Sequence, residues 1–159
     1  MTTLDATHAE SFILLNVGAA RFAVSANQVA ELVAADRQHV FPHRTEWIDG
    51  VLLCRGRIVP VCKIECVLPG VTGSNWRYYL LGRWRHGATE DWVALPADGN
   101  SELFEAAPIP LQERRAGCVT GLLWRGEETV EILDLQIMMD MAAAQESIKS
   151  GDSGAGSLP

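Results

Sequence analysis

Two short apolar runs on either side of an Arg-Gly-Arg break constrain the fold of this chain more than any other feature. The runs cover residues 51–54 and 58–62, and the charged tripeptide at residues 55–57 separates them. Runs of four or five β-branched and leucine residues around a glycine predict two antiparallel strands joined by a tight turn. Pro60 has no N–H to donate to a neighbouring strand, so the second strand is expected at a sheet edge or a bulge.

Other short apolar runs, with turn residues between them, occupy most of the remaining chain. Many short strands separated by turns are typical of a β-barrel or a β-sandwich. We therefore predict an all-β fold. Pairs of such runs, each predicted to be a hairpin, occur at residues 12–24, 77–95 and 118–133.

Helix is predicted at two places only. Ser25 is a helix-capping residue type and indicates a short helix near residues 25–30. Asp134 is expected to cap a C-terminal helix over residues 135–148, with its apolar side towards the core. Two prolines between residues 102 and 115 favour irregular structure there.

An internal repeat refines this prediction. The sequence I-D-G-V-L resembles V-T-G-L-L found 71 residues later, and the downstream apolar stretches match at the same offset. Two β-units of about seventy residues indicate two small barrels side by side that share a core, because neither is large enough for an independent one. The repeat aligns residues 48–52 with 119–123, 55–56 with 125–126, and 59–64 with 130–135.

Length and charge bound the class of protein. The chain has 159 residues, 48% of them hydrophobic, so one domain can bury a sizeable core. The net charge of −7 counts against nucleic acid or an anionic membrane surface as the main partner, because both require a basic face.

The two termini are expected to lie outside the ordered domain. Residues 1–11 are polar and lack a secretion signal, so we predict a flexible N-terminus and a cytoplasmic protein. Residues 149–159 are rich in glycine and serine and predict a disordered tail. The ordered domain is therefore expected over residues 12–148.

The residues on either side of the charged turn resemble a known family. The pattern I-x-G-V-x-x-x-R-G-x-x-V-P-V at residues 48–61 looks like that of a CheW-like domain, and a looser resemblance runs from about residue 12 to residue 139. The resemblance implies two five-stranded SH3-like barrels packed side by side, in agreement with the repeat.

The resemblance also implies a function. Members of this family are non-enzymatic adaptors of bacterial chemosensory arrays beneath the inner membrane, and they carry no cofactor. They couple the cytoplasmic tip of methyl-accepting receptors to the regulatory domain of a CheA-type histidine kinase, and association with further CheW-like domains is also expected. A divergent array that controls pili or a second-messenger enzyme is an alternative output.

Resemblance assigns the partner-binding residues. The family's arginine in the R-G turn falls on Arg55, and its acidic partner falls on Glu31, next to Val29. In the family these charges form a salt bridge at the receptor-binding surface, and a guanidinium can meet a carboxylate through two hydrogen bonds. The alternative is that both are ordinary solvated charges. The other residues expected at this surface are Gly50, Gly56, Ile58 and Val59.

The cysteines provide a competing hypothesis, a metal- or ligand-binding barrel. Cys54, Cys62 and Cys66 are spaced C-x7-C-x3-C, unlike the paired C-x2-C of structural zinc sites, and cysteine often packs as a small hydrophobe. No catalytic motif supplies a nucleophile with a base beside it, so we predict no enzymatic activity. A third hypothesis is a structural barrel without a kinase partner.

Overall fold

The strands of the protein follow the predicted apolar runs. The structure, a computed structural model, describes residues 8–67, 76–98, 101–111 and 117–144. Its strands are β1 (Glu10–Val17), β2 (Ala20–Ser25), β3 (Val29–Ala34), β4 (Val40–Phe41), β5 (Ile48–Cys54), β6 (Arg57–Cys62), β7 (Tyr78–His86), β8 (Thr89–Ala97), β9 (Glu102–Ala106), β10 (Ile109–Pro110), β11 (Val119–Arg125) and β12 (Glu128–Leu133). Helix α1 covers Ile64–Val67, and helix α2 covers residues 135–144.

The strands form two sheets with the same internal order. Barrel A is the sheet β10-β11-β12-β2-β1-β9, and barrel B is the sheet β4-β5-β6-β8-β7-β3. Each sheet contains one parallel contact at the same place, β12 with β2 and β6 with β8, while the other pairs are antiparallel. Each has five longer strands and one strand of two residues, which confirms the predicted pair of small barrels.

The two barrels are interleaved along the chain. Barrel B is built from the continuous segment between β3 and β8, whereas barrel A combines the first two strands with the last four. Strands β3, β5 and β6 have their equivalents 71 residues later, but the equivalents of β7 and β8 are β1 and β2 at the other end of the chain. The two copies are therefore related by a circular permutation, because the two strands that complete barrel A are the first two of the chain.

One apolar cluster joins the barrels, as predicted. It combines buried residues of both sheets with Leu135 and Met138 on the inner side of α2, and it includes Trp47. Each barrel also has a smaller cluster of its own, with Leu52 in barrel B and Leu123 in barrel A. Most of the largest buried side chains thus lie where the two sheets and α2 meet.

The structure differs from the predictions in several places. Strand β6, which contains Pro60, lies inside its sheet between β5 and β8 rather than at an edge, although its pairing with β5 has a register shift between Ile48 and Gly50. Helix α1 was not predicted. The predicted helix near residues 25–30 is a single 3₁₀ turn, Ala26–Gln28, without a side-chain cap from Ser25. Residues 102–110, predicted as irregular, contain β9 and β10, because β9 pairs with β1 about ninety residues away in the sequence. Such a distant partner overrides local turn chemistry.

Helix α2 begins where the sequence predicts it. Asp134 caps α2 as predicted, since its Oδ1 accepts the backbone N–H of Ile137 at 3.0 Å. The last predicted helical residues, the predicted tail and most of the predicted flexible N-terminus lie outside the described residues. Among the residues that are described, no helix is long and apolar enough to cross a membrane.

Candidate partner-binding site

The predicted pair of Arg55 and Glu31 is present at the end of barrel B. Arg55 Nε donates to Glu31 Oε2 at 2.8 Å, and a second guanidinium nitrogen donates to Oε1 at 2.7 Å. Arg55 (φ 53°) and Gly56 (φ 75°) are both in the left-handed region, as a two-residue hairpin turn of this type requires. The turn thus presents the arginine at the tip of the β5–β6 hairpin, where the edge strand β3 supplies its carboxylate.

The electrostatics of the pair favour the charged forms. The hydrogen bonds from Arg55 hold the pKa of Glu31 below its usual range, although burial opposes this, and the carboxylate in turn raises the pKa of Arg55. The Cys54 thiol lies 3.9 Å from Glu31, and its own pKa is raised, chiefly by burial. The Glu31 side chain is 23% exposed and that of Arg55 68%, so the arginine is the member that meets solvent.

An apolar surface lies beside this charged turn. Phe41, Leu53 and Ile58 are 48%, 58% and 74% exposed, and they share the outward side of β4, β5 and β6. We call these three residues face B. Arg57, the last residue of the charged tripeptide, stacks its guanidinium over the Trp92 ring at 4.3 Å. Face B therefore lies beside a turn that carries Arg55, whereas Arg57 faces the barrel end, on the other side of β6 from Ile58.

Two residues expected at the partner surface point into the barrel instead. Val59 is fully buried and Gly50 is also buried, because alternate residues of β5 and β6 face the interior. A Cβ on Gly50 would lie 2.9 Å from the carbonyl oxygen of Phe41, so this glycine permits the close approach of β4 to its neighbour β5. Gly50 and Val59 thus face the interior of the barrel, and a contact of either residue with a partner stays a prediction.

The other expected residues are placed differently. Val29 is half-buried and packs against the shared core, whereas Gly56 and Ile58 are exposed. Thus the structure brings together Glu31, Arg55, Gly56 and Ile58 at the turn end of barrel B. Their role towards a partner stays a prediction.

Barrel A contains a second ion pair that the sequence analysis missed. Arg125 Nε and a terminal guanidinium nitrogen donate to Glu102 at 3.1 and 2.7 Å, and both side chains are partly exposed. The hydrogen bonds lower the pKa of Glu102 and raise the pKa of Arg125. Glu102 is the structural equivalent of Glu31, because each pairs with the matching leucine of the neighbouring strand.

The sequence repeat indicated this second pair, but it aligned Arg55 with Arg125 at an offset of 70 residues instead of 71. In the structure the 71-residue offset holds through both hairpins, so Cys54 is equivalent to Arg125, and Arg55 is equivalent to Gly126. The arginine therefore stands on the last strand residue in barrel A and on the first turn residue in barrel B. The guanidinium side chain is long enough to reach the equivalent glutamate from either position.

The outward side of barrel A has its own apolar surface. Ile109 and Trp124, which are 40% and 55% exposed, occupy the positions equivalent to Phe41 and Leu53. We call these two residues face A. The turn beside face A carries Glu127 and Glu128, where the turn beside face B carries cationic residues.

The cysteines do not form a metal site in the part of the chain that the structure describes. Cys54, Cys62 and Cys118 are buried, Cys66 is exposed, and none of the four forms a disulfide. No group of three or more His, Cys, Asp and Glu side chains within residues 8–67, 76–98, 101–111 and 117–144 is arranged to hold a metal ion. The metal-binding hypothesis therefore gains no support from these residues.

Comparison with known proteins agrees with this geometry. Residues 11–78, which include the Arg55–Glu31 pair, match the family model of the CheW-like domain. The predicted resemblance to the CheW-like family is confirmed. The chain also superimposes on the crystal structure of the scaffolding protein TtCheW from Thermoanaerobacter tengcongensis with a TM-score of 0.63 and 15% sequence identity. That match covers 82% of this chain and 92% of TtCheW, so the CheW-like fold extends over both barrels. A search of curated proteins found no match.

Proposed function

We propose that this chain is a non-enzymatic adaptor of a chemosensory array that holds a methyl-accepting receptor and a CheA-type histidine kinase in one assembly. The match to the CheW-like domain and the CheW-like fold support a chemotaxis scaffold in general. The Arg55–Glu31 pair supports a partner-binding site at this position, because it has two hydrogen bonds and its arginine is exposed beside face B.

The proposed mechanism is geometric. Glu31 holds the Arg55 guanidinium in one orientation before a partner arrives, which lowers the entropy lost on binding. Face B then supplies apolar surface that a receptor tip would cover, and the charged turn would set the register of the contact. Under this proposal the chain works in the cytoplasm, at receptor arrays beneath the inner membrane. A pilus or second-messenger pathway stays the alternative output.

The test compares Arg55→Glu with Arg125→Glu, a matched reversal at the equivalent ion pair. We expect Arg55→Glu to weaken binding of the receptor's cytoplasmic fragment by about tenfold or more. The new carboxylate is repelled by Glu31, and the receptor group that would contact Arg55 loses its counter-charge. Arg125→Glu is expected to leave receptor binding unchanged, and Arg55→Glu to leave binding of the kinase regulatory domain unchanged. Titration calorimetry with each purified partner measures both affinities.

Two outcomes would contradict the proposal. If the wild-type chain binds neither the kinase regulatory domain nor the receptor fragment, the adaptor function is wrong and only the fold stands. If both reversals weaken receptor binding equally, the receptor surface is not confined to barrel B.

We also propose that, in copies whose face B is not covered by a receptor tip, the expected association with further CheW-like domains joins face A of one copy to face B of the next. The two faces occupy equivalent positions, but the hairpin that carries face B has Arg55 and Arg57 at its turn end, whereas the hairpin that carries face A has Glu127 and Glu128 there. Opposite charge beside two apolar surfaces favours a head-to-tail contact over a contact between like faces.

A charge exchange tests this contact. Arg57→Glu and Glu128→Arg should each reduce self-association of the purified chain, measured by sedimentation velocity at low salt. An equimolar mixture of the two variants should associate again, because every contact in it can pair opposite charges. Glu65→Arg, on α1 at the far end of β6 from the turn, is the control and should behave as wild type. A monomeric wild-type chain at the highest concentration, or a mixture that stays monomeric, would refute the contact.

A further inference from the structure

Two guanidinium contacts hold the turn between β5 and β6 from different sides. Arg55, the first turn residue, is hydrogen-bonded to Glu31 on β3. Arg57, the first residue of β6, stacks its guanidinium over the ring of Trp92 on β8, 4.3 Å from the ring centroid. Strands β3 and β8 lie on either side of β7 in barrel B, so the two contacts tie one turn to two separate strands.

The conformation of the turn makes this support useful. Gly56 has a positive φ of 75°, and a Cβ built on it would meet no atom within 4 Å, so the backbone there has open space around it. The Arg55 side chain is 68% exposed, and an ion pair with so exposed an arginine is weak. The orientation that Glu31 gives to Arg55 therefore depends on how well the turn that carries the arginine is ordered.

Trp92 provides a fixed surface for the second contact. It lies within β8, opposite Arg83 of β7, and its side chain packs against the interior cluster of barrel B that contains Leu52. A guanidinium above an aromatic ring is attracted by the negative face of the ring, and its planar shape allows it to stack there. The ring thus fixes Arg57, and through the adjoining backbone it orders the turn.

Barrel A has a contact at the same place with different chemistry. The residues equivalent to Arg57 and Trp92 are Glu128 and Arg21, because the parallel pairs β6–β8 and β12–β2 have the same register. Glu128 accepts a hydrogen bond from Arg21 at 2.9 Å. In both barrels the first residue after the turn is therefore joined to the neighbouring parallel strand. The shared position of two chemically different contacts indicates that each serves to hold its turn.

We propose that Trp92 is a positioning residue for Arg55. Through Arg57 it orders the β5–β6 turn, so that the Arg55 guanidinium is already in place when a receptor tip arrives. Preorganisation of this kind raises affinity because less entropy is lost on binding. This inference rests on the proposed function of Arg55 as a receptor contact. It assigns no receptor contact to Trp92 itself.

The order of the turn can be measured in the full-length ¹⁵N-labelled chain without a receptor. The Arg55 Nε–H donates to Glu31, so its solvent exchange reports on this ion pair. The Arg125 Nε–H donates to Glu102 in barrel A and serves as an internal reference. Trp92→Leu should speed the exchange of the Arg55 Nε–H by about two- to fivefold, the range that a cation–π contact at an exposed site supplies, and leave that of Arg125 unchanged. Arg55→Lys and Arg125→Lys each remove one Nε–H and so assign the two resonances.

Receptor binding tests the consequence for function. Trp92→Leu should weaken binding of the receptor's cytoplasmic fragment by about two- to fivefold in titration calorimetry, and leave binding of the kinase regulatory domain unchanged. Trp92→Phe keeps an aromatic face beneath Arg57 and should restore binding. Arg57→Gln keeps the ring but removes the cation, so it should repeat the effect of Trp92→Leu even if that variant folds poorly. Arg21→Gln, which breaks the equivalent contact in barrel A, is the matched control and should bind the receptor as wild type.

A double variant separates positioning from direct contact. In the Arg55→Ala background, Trp92→Leu should cause no further loss of receptor affinity, because no guanidinium is left to position. An equal loss in both backgrounds would overturn the proposal, since Trp92 would then contact the receptor or act through the fold as a whole. Unchanged Arg55 exchange in Trp92→Leu would also overturn it. A wild-type chain that binds no receptor would refute the proposed function of Arg55, while the exchange measurement would still decide whether Trp92 orders the turn.

Discussion

The turn ends of the two barrels are built on one plan and carry different chemistry. In both, a glutamate on the edge strand accepts two hydrogen bonds from an arginine of the opposite hairpin. Beside that pair, barrel B stacks Arg57 on Trp92, whereas the equivalent residues of barrel A, Glu128 and Arg21, form an ion pair at 2.9 Å. The comparison shows that the strand order sets where side chains meet, while their chemistry is free to change.

The exchange of Trp92 for Arg21 also changes the shape of the barrel end. Trp92 packs against the interior cluster of barrel B and occupies its end. In barrel A the end holds a recess of about 220 Å³, lined by Leu14 and by polar residues including Asn16 and Arg21. One end is therefore capped by an aromatic ring, and the other is open and polar. Surfaces of such different form are suited to different partners.

The largest expected effect tests whether the two barrels are equivalent at Gly50 and Gly121. A Cβ on Gly50 would lie 2.9 Å from the Phe41 oxygen, and one on Gly121 would lie 2.8 Å from the Ile109 oxygen. Because backbone must move in each case, Gly50→Ala and Gly121→Ala should each lower the free energy of unfolding by about 2–3 kcal/mol in urea denaturation.

Gly87→Ala is the control for this test. Gly87 has a positive φ with no atom near its missing Cβ, so alanine there strains only the backbone and should cost about 1 kcal/mol. If one of the two buried glycines accepts alanine as easily as Gly87 does, the short strands β4 and β10 do not approach β5 and β11 equally closely.

A smaller effect is expected from acid. Both Glu31 and Glu102 have a folded-state pKa below the ordinary value of 4.5, so in this range the unfolded chain binds more protons than the folded one. The stabilisation is present above 4.5 and is lost as the pH falls through the folded-state pKa values. Glu31→Gln and Glu102→Gln should each remove part of this dependence, measured as the midpoint of thermal unfolding against pH.

Glu31→Gln and Glu102→Gln are expected to change the pH dependence of stability by different amounts. Glu31 is less exposed than Glu102, so its variant should remove the larger part, although exposure keeps both contributions small. An acid dependence that neither variant changes would mean that other carboxylates are responsible for it.

Local features of the sequence predicted much of this fold. The apolar runs around the Arg-Gly-Arg tripeptide became β5 and β6, and Asp134 caps α2 as its residue type indicates. These features act over a few residues, so they can be recognised without tertiary structure. The 71-residue repeat also predicted two barrels with a shared core.

Contacts between segments that are far apart in the sequence could not be predicted in the same way. β9 was missed because its pairing with β1 crosses most of the chain, and the second ion pair was missed because Arg125 is one residue out of step with Arg55. The packing of α2 on the core shared by the two barrels also depends on contacts between distant segments, which no local pattern encodes.

The sequence by itself determined the all-β class, the two-barrel architecture, the partners Glu31 and Arg55, and the resemblance to the CheW-like family. Only the tertiary structure decided that barrel A is completed by the first two strands, that Gly50 and Val59 face inward, and that Trp47 is buried in the core shared by the two barrels. The physical reason is the distance along the chain over which each interaction acts. Alternation, turn chemistry and capping act between neighbours, whereas strand order and packing depend on contacts between residues far apart in the chain.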